Sequence, residues 1–296
     1  MNCATCGAGL RADAQYCFNC GTRRSGTAAG GEPVPAGATP LLTRYGVAAG
    51  RVDWTLGDVG LGLAWFIGLY LVASALLVLP VAVAFGEDSA GTLAWTLIAS
   101  GGISLSFVAV AATYTFRRHG GGWERLGLAR PRSWSVLWWG LAALAAAFIA
   151  AYIYGAIIEY FDIGYLQSEC DDQIPSQVID NWRLLALAGF VTIAIAPATE
   201  EIFFRGFLFP GLGRRWGVAA GLAGSAALFA LPHILPQVLL PIFLIGLIFS
   251  AAYWRSGSLY STILAHLIFN SLSFAAVATC DTGSASLFSW LPGVLR

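Results

Sequence analysis

Two adjacent glutamates and an arginine stand near the end of an apolar run long enough to span a bilayer. The run includes Ala196-Pro-Ala-Thr-Glu-Glu-Ile-Phe-Phe-Arg-Gly-Phe-Leu-Phe209. A charge at the bilayer centre costs about 2.5–3.5 kcal/mol on insertion scales, and intramembrane ionisable groups mark functional sites. On a helix, Glu201 and Arg205 are four positions apart and share a face, so they can pair. Glu200 then points about 100° away from its neighbour. One glutamate is held by the arginine, and the other is left to face something else. A carboxylate so placed suits general-base or proton-relay work. Pro197 removes one helical hydrogen bond just upstream and can kink the helix there.

The chain has three histidines. His119 falls in an arginine-rich loop and reads as a solvated loop residue. His233 ends Phe229-Ala-Leu-Pro-His233, and His266 begins His266-Leu-Ile-Phe-Asn270, with Asn270 on the same helical face. A single membrane histidine is most simply a packing residue, and Glu201–Arg205 a structural pair. The combination argues otherwise. Two carboxylates, a guanidinium, two imidazoles and an amide sit on three apolar helices, where each needs a polar partner. They satisfy one another if the fourth, fifth and seventh spans enclose a wet cavity. Depth counting gives roughly 10 Å for His266, 12 Å for Glu200 and 24 Å for His233 from the arginine-bearing side. These agree only if the fourth and fifth helices protrude through Arg214 and Arg215.

The elements that must position these groups are membrane spans. Of 296 residues, 57% are hydrophobic and 11% charged, far below the roughly 25% charged of a soluble domain. The expected fold is all-α, a polytopic helix bundle of about seven spans at 59–84, 92–116, 134–158, 183–208, 218–234, 238–254 and 259–279. The net charge is zero, which gives no case for a nucleic-acid partner. Every basic residue is arginine, a compositional bias with no mechanism attached. Arg44 and Arg51 precede the first span. Arg117, Arg118, Arg125, Arg130 and Arg132 fill the loop after the second. Arg214 and Arg215 follow the fourth, and Arg255 follows the sixth. The loop after the third span instead carries Glu159, Asp162, Glu169, Asp171, Asp172 and Asp180. The positive-inside rule then gives a multi-pass cell-membrane protein with a cytoplasmic N-terminus and an external C-terminus. The polar, cysteine-rich start gives no cleavable signal peptide, so the first span acts as its own insertion signal.

Ahead of the spans, Cys3-Ala-Thr-Cys6 and Cys17-Phe-Asn-Cys20 are two CxxC knuckles, each followed by glycine. Four thiolates at this spacing suit one tetrahedral structural zinc. Residues 1–24 thus read as a small zinc ribbon, too short to fold without its metal, with a cytosolic protein as its candidate partner. Residues 25–57 are rich in Gly, Ala and Pro and read as a flexible linker. The transmembrane domain runs over 58–282, and 283–296 is a tail. The topology puts Cys170 and Cys280 on the external side, where they are candidates for a disulfide.

At the polar cluster the chain resembles the CPBP family of intramembrane proteases (CAAX proteases and bacteriocin-processing or immunity proteins), which includes the CAAX-processing endopeptidases. Glu200-Glu201-Ile-Phe-Phe-Arg205 matches its EExxxR motif, Phe229–His233 its FxxxH motif, and His266–Asn270 its HxxxN motif. The resemblance covers about residues 180–280, and its specificity lies in all three motifs occurring in order. It implies an intramembrane endopeptidase that hydrolyses a peptide bond of a membrane-associated peptide or protein. Glu200 would be general base on a water also held by His233. His266 and Asn270 would stabilise the oxyanion, and Arg205 would hold Glu201. Some members of the family serve bacteriocin immunity or the maturation of secreted peptides, so a bacterial-looking chain need have no prenylated substrate. Family members are described as metalloproteases, and two histidines with a glutamate could hold zinc. There is no HExxH pairing on one helix, and a glutamate-activated water uses the same residues. Two other classes stay open. A small proton-coupled transporter would line a path through the membrane with polar groups. A non-catalytic relative would bind a partner and turn nothing over.

Overall fold

The computed structural model describes residues 2–4, 7, 52, 54–129, 131, 134–166, 174–233 and 235–280. Among the described residues, six helices are long and apolar enough to cross a membrane. They are α1 (Leu56–Phe85), α2 (Ala90–Arg118), α3 (Ser135–Tyr160), α4 (Trp182–Trp216), α6 (Pro236–Ser256) and α7 (Leu259–Cys280). The helix between α4 and α6, α5 (Val218–His233), is shorter. The described residues thus hold seven apolar helices, as the sequence implies, but the fifth is shorter than a full span. Pro232 and Pro236 cut it off, since neither can donate the backbone hydrogen bond that would continue it.

Local chemistry sets the ends. Thr55 and Asp58 form a reciprocal capping box at α1, with Thr55 Oγ1 accepting from the Asp58 amide and Asp58 Oδ2 accepting from the Thr55 amide. Ser89 caps α2 through the Thr92 amide, and Asn181 caps α4 through the amides of Arg183 and Leu184. Gly217, at φ 88°, turns α4 into α5, a conformation glycine adopts without steric cost. The two helices then touch backbone to backbone. A Cβ on Gly221 would stand 2.8 Å from the Gly213 Cα.

The centre of the bundle is α4. Every residue from Glu201 to Arg214 is buried, so this stretch has no lipid-facing side. From Glu201 to Leu208 the helix widens to π geometry, in which each amide reaches back five residues rather than four. Its carbonyls take side-chain donors from neighbours. Ser225 Oγ on α5 donates to the Phe204 carbonyl at 2.7 Å, and Trp54 Nε1 donates to the Phe207 carbonyl at 2.9 Å. Aromatic rings surround it, with Phe107 4.8 Å from Phe203 and Tyr114 5.6 Å from Phe207 between centroids.

Helix α4 is longer than the apolar run suggests. The expected end at 208 gives way to Trp216, because the terminal turns are covered by protein and need no hydrocarbon. Thirty-five residues make about 52 Å of helix, against about 30 Å of bilayer core. Glu200 therefore stands about 24 Å from the arginine-bearing end of α4, and His233 about the same from the start of α5. Glu200 and His233 thus stand at about the same distance from the α4–α5 turn, which removes the mismatch between these two in the sequence count.

The structure differs from the sequence expectation at two places. The segment assigned to a flexible linker (25–57) is ordered from its last residues on. Val52 and Trp54 are buried, Trp54 completely, and Arg214 Nη1 donates to the Trp54 carbonyl at 2.7 Å. Trp54 is large and apolar with one polar N–H, which makes it a wedge that finds its partner in the π segment. His119 is not a solvated loop residue. Its Nε2 lies 3.1 Å from Asp58 Oδ2, and Arg118 Nε lies 2.7 Å from Asp58 Oδ1. A buried carboxylate needs such partners, and this one ties the start of α1 to the end of α2. Of the proposed zinc ligands only Cys3 is described, and it is buried. Cys6, Cys17, Cys20 and the Cys170–Cys280 pairing lie outside the described residues.

Replacing Trp54 by alanine is expected to destabilise the protein by about 3–5 kcal/mol, the usual cost of emptying a buried aromatic site. Trp65→Ala, at a lipid-facing position 61% exposed, should leave the heat-denaturation midpoint in detergent nearly unchanged. The two midpoints measured side by side check this.

Candidate active site

Helices α4, α5, α6 and α7 each bring one part of a single polar cluster into the apolar core. Helix α4 supplies Glu200, Glu201 and Arg205. Arg205 Nη1 lies 3.0 Å from Glu201 Oε1, and both side chains are fully buried. This is the i, i+4 pair that the spacing implies. Arg205 Nη2 donates to the Gly246 carbonyl of α6 at 3.3 Å. The rest of the guanidinium is seated on aromatic faces, 4.2 Å from the Phe229 centroid and 5.7 Å from that of Phe249. A weakly hydrated planar cation can trade hydrogen bonds for ring faces in this way.

His266 of α7 completes the pair. Its Nδ1 lies 3.0 Å from the same Glu201 Oε1, and its Nε2 lies 3.9 Å from Glu200 Oε2. Its ring rests near Phe249 and Phe229, at 5.4 and 5.9 Å between centroids. The order Arg205, Glu201, His266, Glu200 is thus one line of contacts. It runs from full burial to a carboxylate that is 18% exposed. Glu200 is the accessible end, as its position one residue from the pair implies.

The remaining two site residues lie close by without joining that line. His233, on the last turn of α5, has Nδ1 3.1 Å from the Phe229 carbonyl and its ring 5.6 Å from Phe229. Asn270 Nδ2 donates to the Thr192 carbonyl of α4 at 2.9 Å. Phe229 is the common neighbour, since its ring meets Arg205, His266, His233 and also Phe204 at 5.3 Å.

In the sequence Phe229 is a motif letter with no task of its own. Gly246 and Phe249 carried no signal at all, being ordinary members of an apolar helix. Only their proximity to Arg205 gives them a role.

Among the described residues no three His, Cys, Asp or Glu side chains are grouped to hold an ion.

Residues 182–272 match the family model described as type II CAAX prenyl endopeptidase Rce1-like. This stretch is an Rce1-like domain. It contains every polar residue of the cluster, and the chain around it is a multi-pass membrane protein. No curated protein and no solved structure matches the chain. The helices before residue 182 and the cysteine-rich start lie outside the Rce1-like match.

Removing one partner of the buried pair should cost far more than removing both. Arg205→Met leaves Glu201 charged and uncompensated, and is expected to destabilise the protein by about 3–5 kcal/mol. Adding Glu201→Leu to the same variant should recover a large part of that loss. A double-mutant cycle on the heat-denaturation midpoint measures the difference.

Proposed function

We propose that this chain is an intramembrane endopeptidase that hydrolyses a membrane-anchored peptide or protein with a water activated by Glu200. The observation that carries the reading is the asymmetry of the adjacent glutamates. Glu201 is sealed and ion-paired, while Glu200 is partly exposed beside an imidazole. A carboxylate free of its own arginine, in an apolar setting with limited water, is a general base.

His233 suits the water's other side. A backbone carbonyl only accepts, so the Nδ1–Phe229 contact puts the ring proton on Nδ1 and leaves Nε2 to accept from a water. Asn270 spends one amide hydrogen on Thr192 and keeps a second for a developing oxyanion. A preorganised donor of this kind is worth about 2.7–4 kcal/mol in the transition state. The transporter alternative fits less well. Beyond Glu200 the polar groups end in a sealed ion pair, and α4 is buried from there to Arg214. We further propose that Cys3, Cys6, Cys17 and Cys20 bind one structural zinc, and that they lie in the cytoplasm with the arginine-rich loops.

The deciding test is cleavage of membrane-anchored peptides, prenylated and unprenylated, by the purified protein. Glu200→Gln should lower kcat by about 10²–10⁴ with an unchanged heat-denaturation midpoint. A Glu200→Gln variant as fast as wild type would remove Glu200 from the chemistry. A wild type that binds these peptides and cleaves none would favour a binding protein. Metal analysis should find one zinc per chain, absent after Cys→Ser at the four positions.

A further inference from the structure

The contacts of His266 bear on how the proton travels. Glu201 Oε1 stands 3.0 Å from both Arg205 Nη1 and His266 Nδ1. A carboxylate paired with arginine is ionised and can only accept. The hydrogen in the His266–Glu201 contact therefore sits on Nδ1. In the neutral ring Nε2 is then bare, and it faces Glu200 Oε2 at 3.9 Å. A bare nitrogen cannot donate to an oxyanion, but it can receive a proton.

We infer that His266 is the proton carrier of the reaction, oriented by Glu201 and exchanging with Glu200, and not a neutral oxyanion donor. This rests on the endopeptidase reading above. The balance is simple. A water gives one proton to Glu200 as its oxygen bonds to the scissile carbonyl carbon. That proton moves from Glu200 to His266 Nε2, across a gap that one water or a small side-chain rotation closes. The imidazolium gives it to the leaving nitrogen as the C–N bond breaks. The products are a carboxyl group and an amine, with Glu200 a carboxylate and His266 neutral again.

The surroundings suit a ring that is charged for part of the cycle. Glu200 and Glu201 face it directly, and Arg205 faces it only through Glu201. The rings of Phe229 and Phe249 lie beside it, and Phe229 also neighbours the ring of His233. A carboxylate behind the far nitrogen fixes tautomer and orientation and stabilises the imidazolium, as in serine hydrolase triads.

Two measurements test this. His266→Gln keeps an N–H donor near the Nε2 position and cannot take up a proton. A proton carrier predicts a fall in kcat of about 10²–10⁴, whereas a mere donor predicts retention within about tenfold. The second measurement needs no turnover. Nitrogen-15 NMR of histidine-labelled wild type in nanodiscs, assigned with His119→Gln and His233→Gln, should show His266 neutral and protonated at Nδ1. A neutral Nε2–H form, a permanent imidazolium or an active His266→Gln overturns the inference and leaves the endopeptidase reading standing. A wild type that cleaves no probe removes that reading, and the carrier with it, whatever the tautomer.

Discussion

The ion pair between Glu201 and Arg205 is the constraint on which the rest depends. Two fully buried charges inside a membrane bundle are tolerable only if the surrounding helices supply what water would have supplied. Helix α6 supplies a backbone carbonyl at Gly246 and the ring of Phe249. Helix α5 supplies the ring of Phe229, and α7 supplies His266. Each interaction fixes the position of one helix against α4. The pair is therefore both a cost in desolvation and a means of registering three helices around one point.

The widened stretch of α4 is the second part of that arrangement. Helix α4 has two π segments, Phe190–Ile195 and Glu201–Leu208, and the second begins at the ion pair. Carbonyls there accept from Ser225 and Trp54 as well as from the helix itself. Such local widening is frequent at functional sites. Here it lets a residue from outside the spans, Trp54, bond directly to the helix that bears the polar cluster. Through Trp54 and Arg214 the chain ahead of α1 is fastened to the turn end of the α4–α5 hairpin. The Rce1-like domain is thus packed against the segment that leads to the cysteine-rich start.

The graded exposure from Arg205 to Glu200 gives the cluster its chemical direction. Its buried end is neutral overall and closed to water, and its open end is a carboxylate flanked by an imidazole. An apolar wall of Phe229 and Phe249 keeps the field between these groups strong, because little water is present to screen it. Proton exchange between two side chains in that setting costs little reorganisation.

What the sequence determined by itself is the part that follows from covalent spacing and hydropathy. Apolar runs located the helices, because twenty or so residues are needed to cross a bilayer. The i, i+4 rule placed Arg205 on Glu201 and left Glu200 free. Three motifs in order identified the family stretch. The tertiary structure alone decided the rest. The π turns and the extension of α4 to Trp216 depend on neighbours that cover the backbone, which hydropathy does not record. The burial of Trp54 and the Asp58–His119 contact join residues far apart in sequence, so the local rule read them as linker and loop. Gly246 and Phe249 look like filler until a guanidinium stands against them. The tautomer of His266 is set by which nitrogen meets Glu201, and no spacing rule could have chosen between the two.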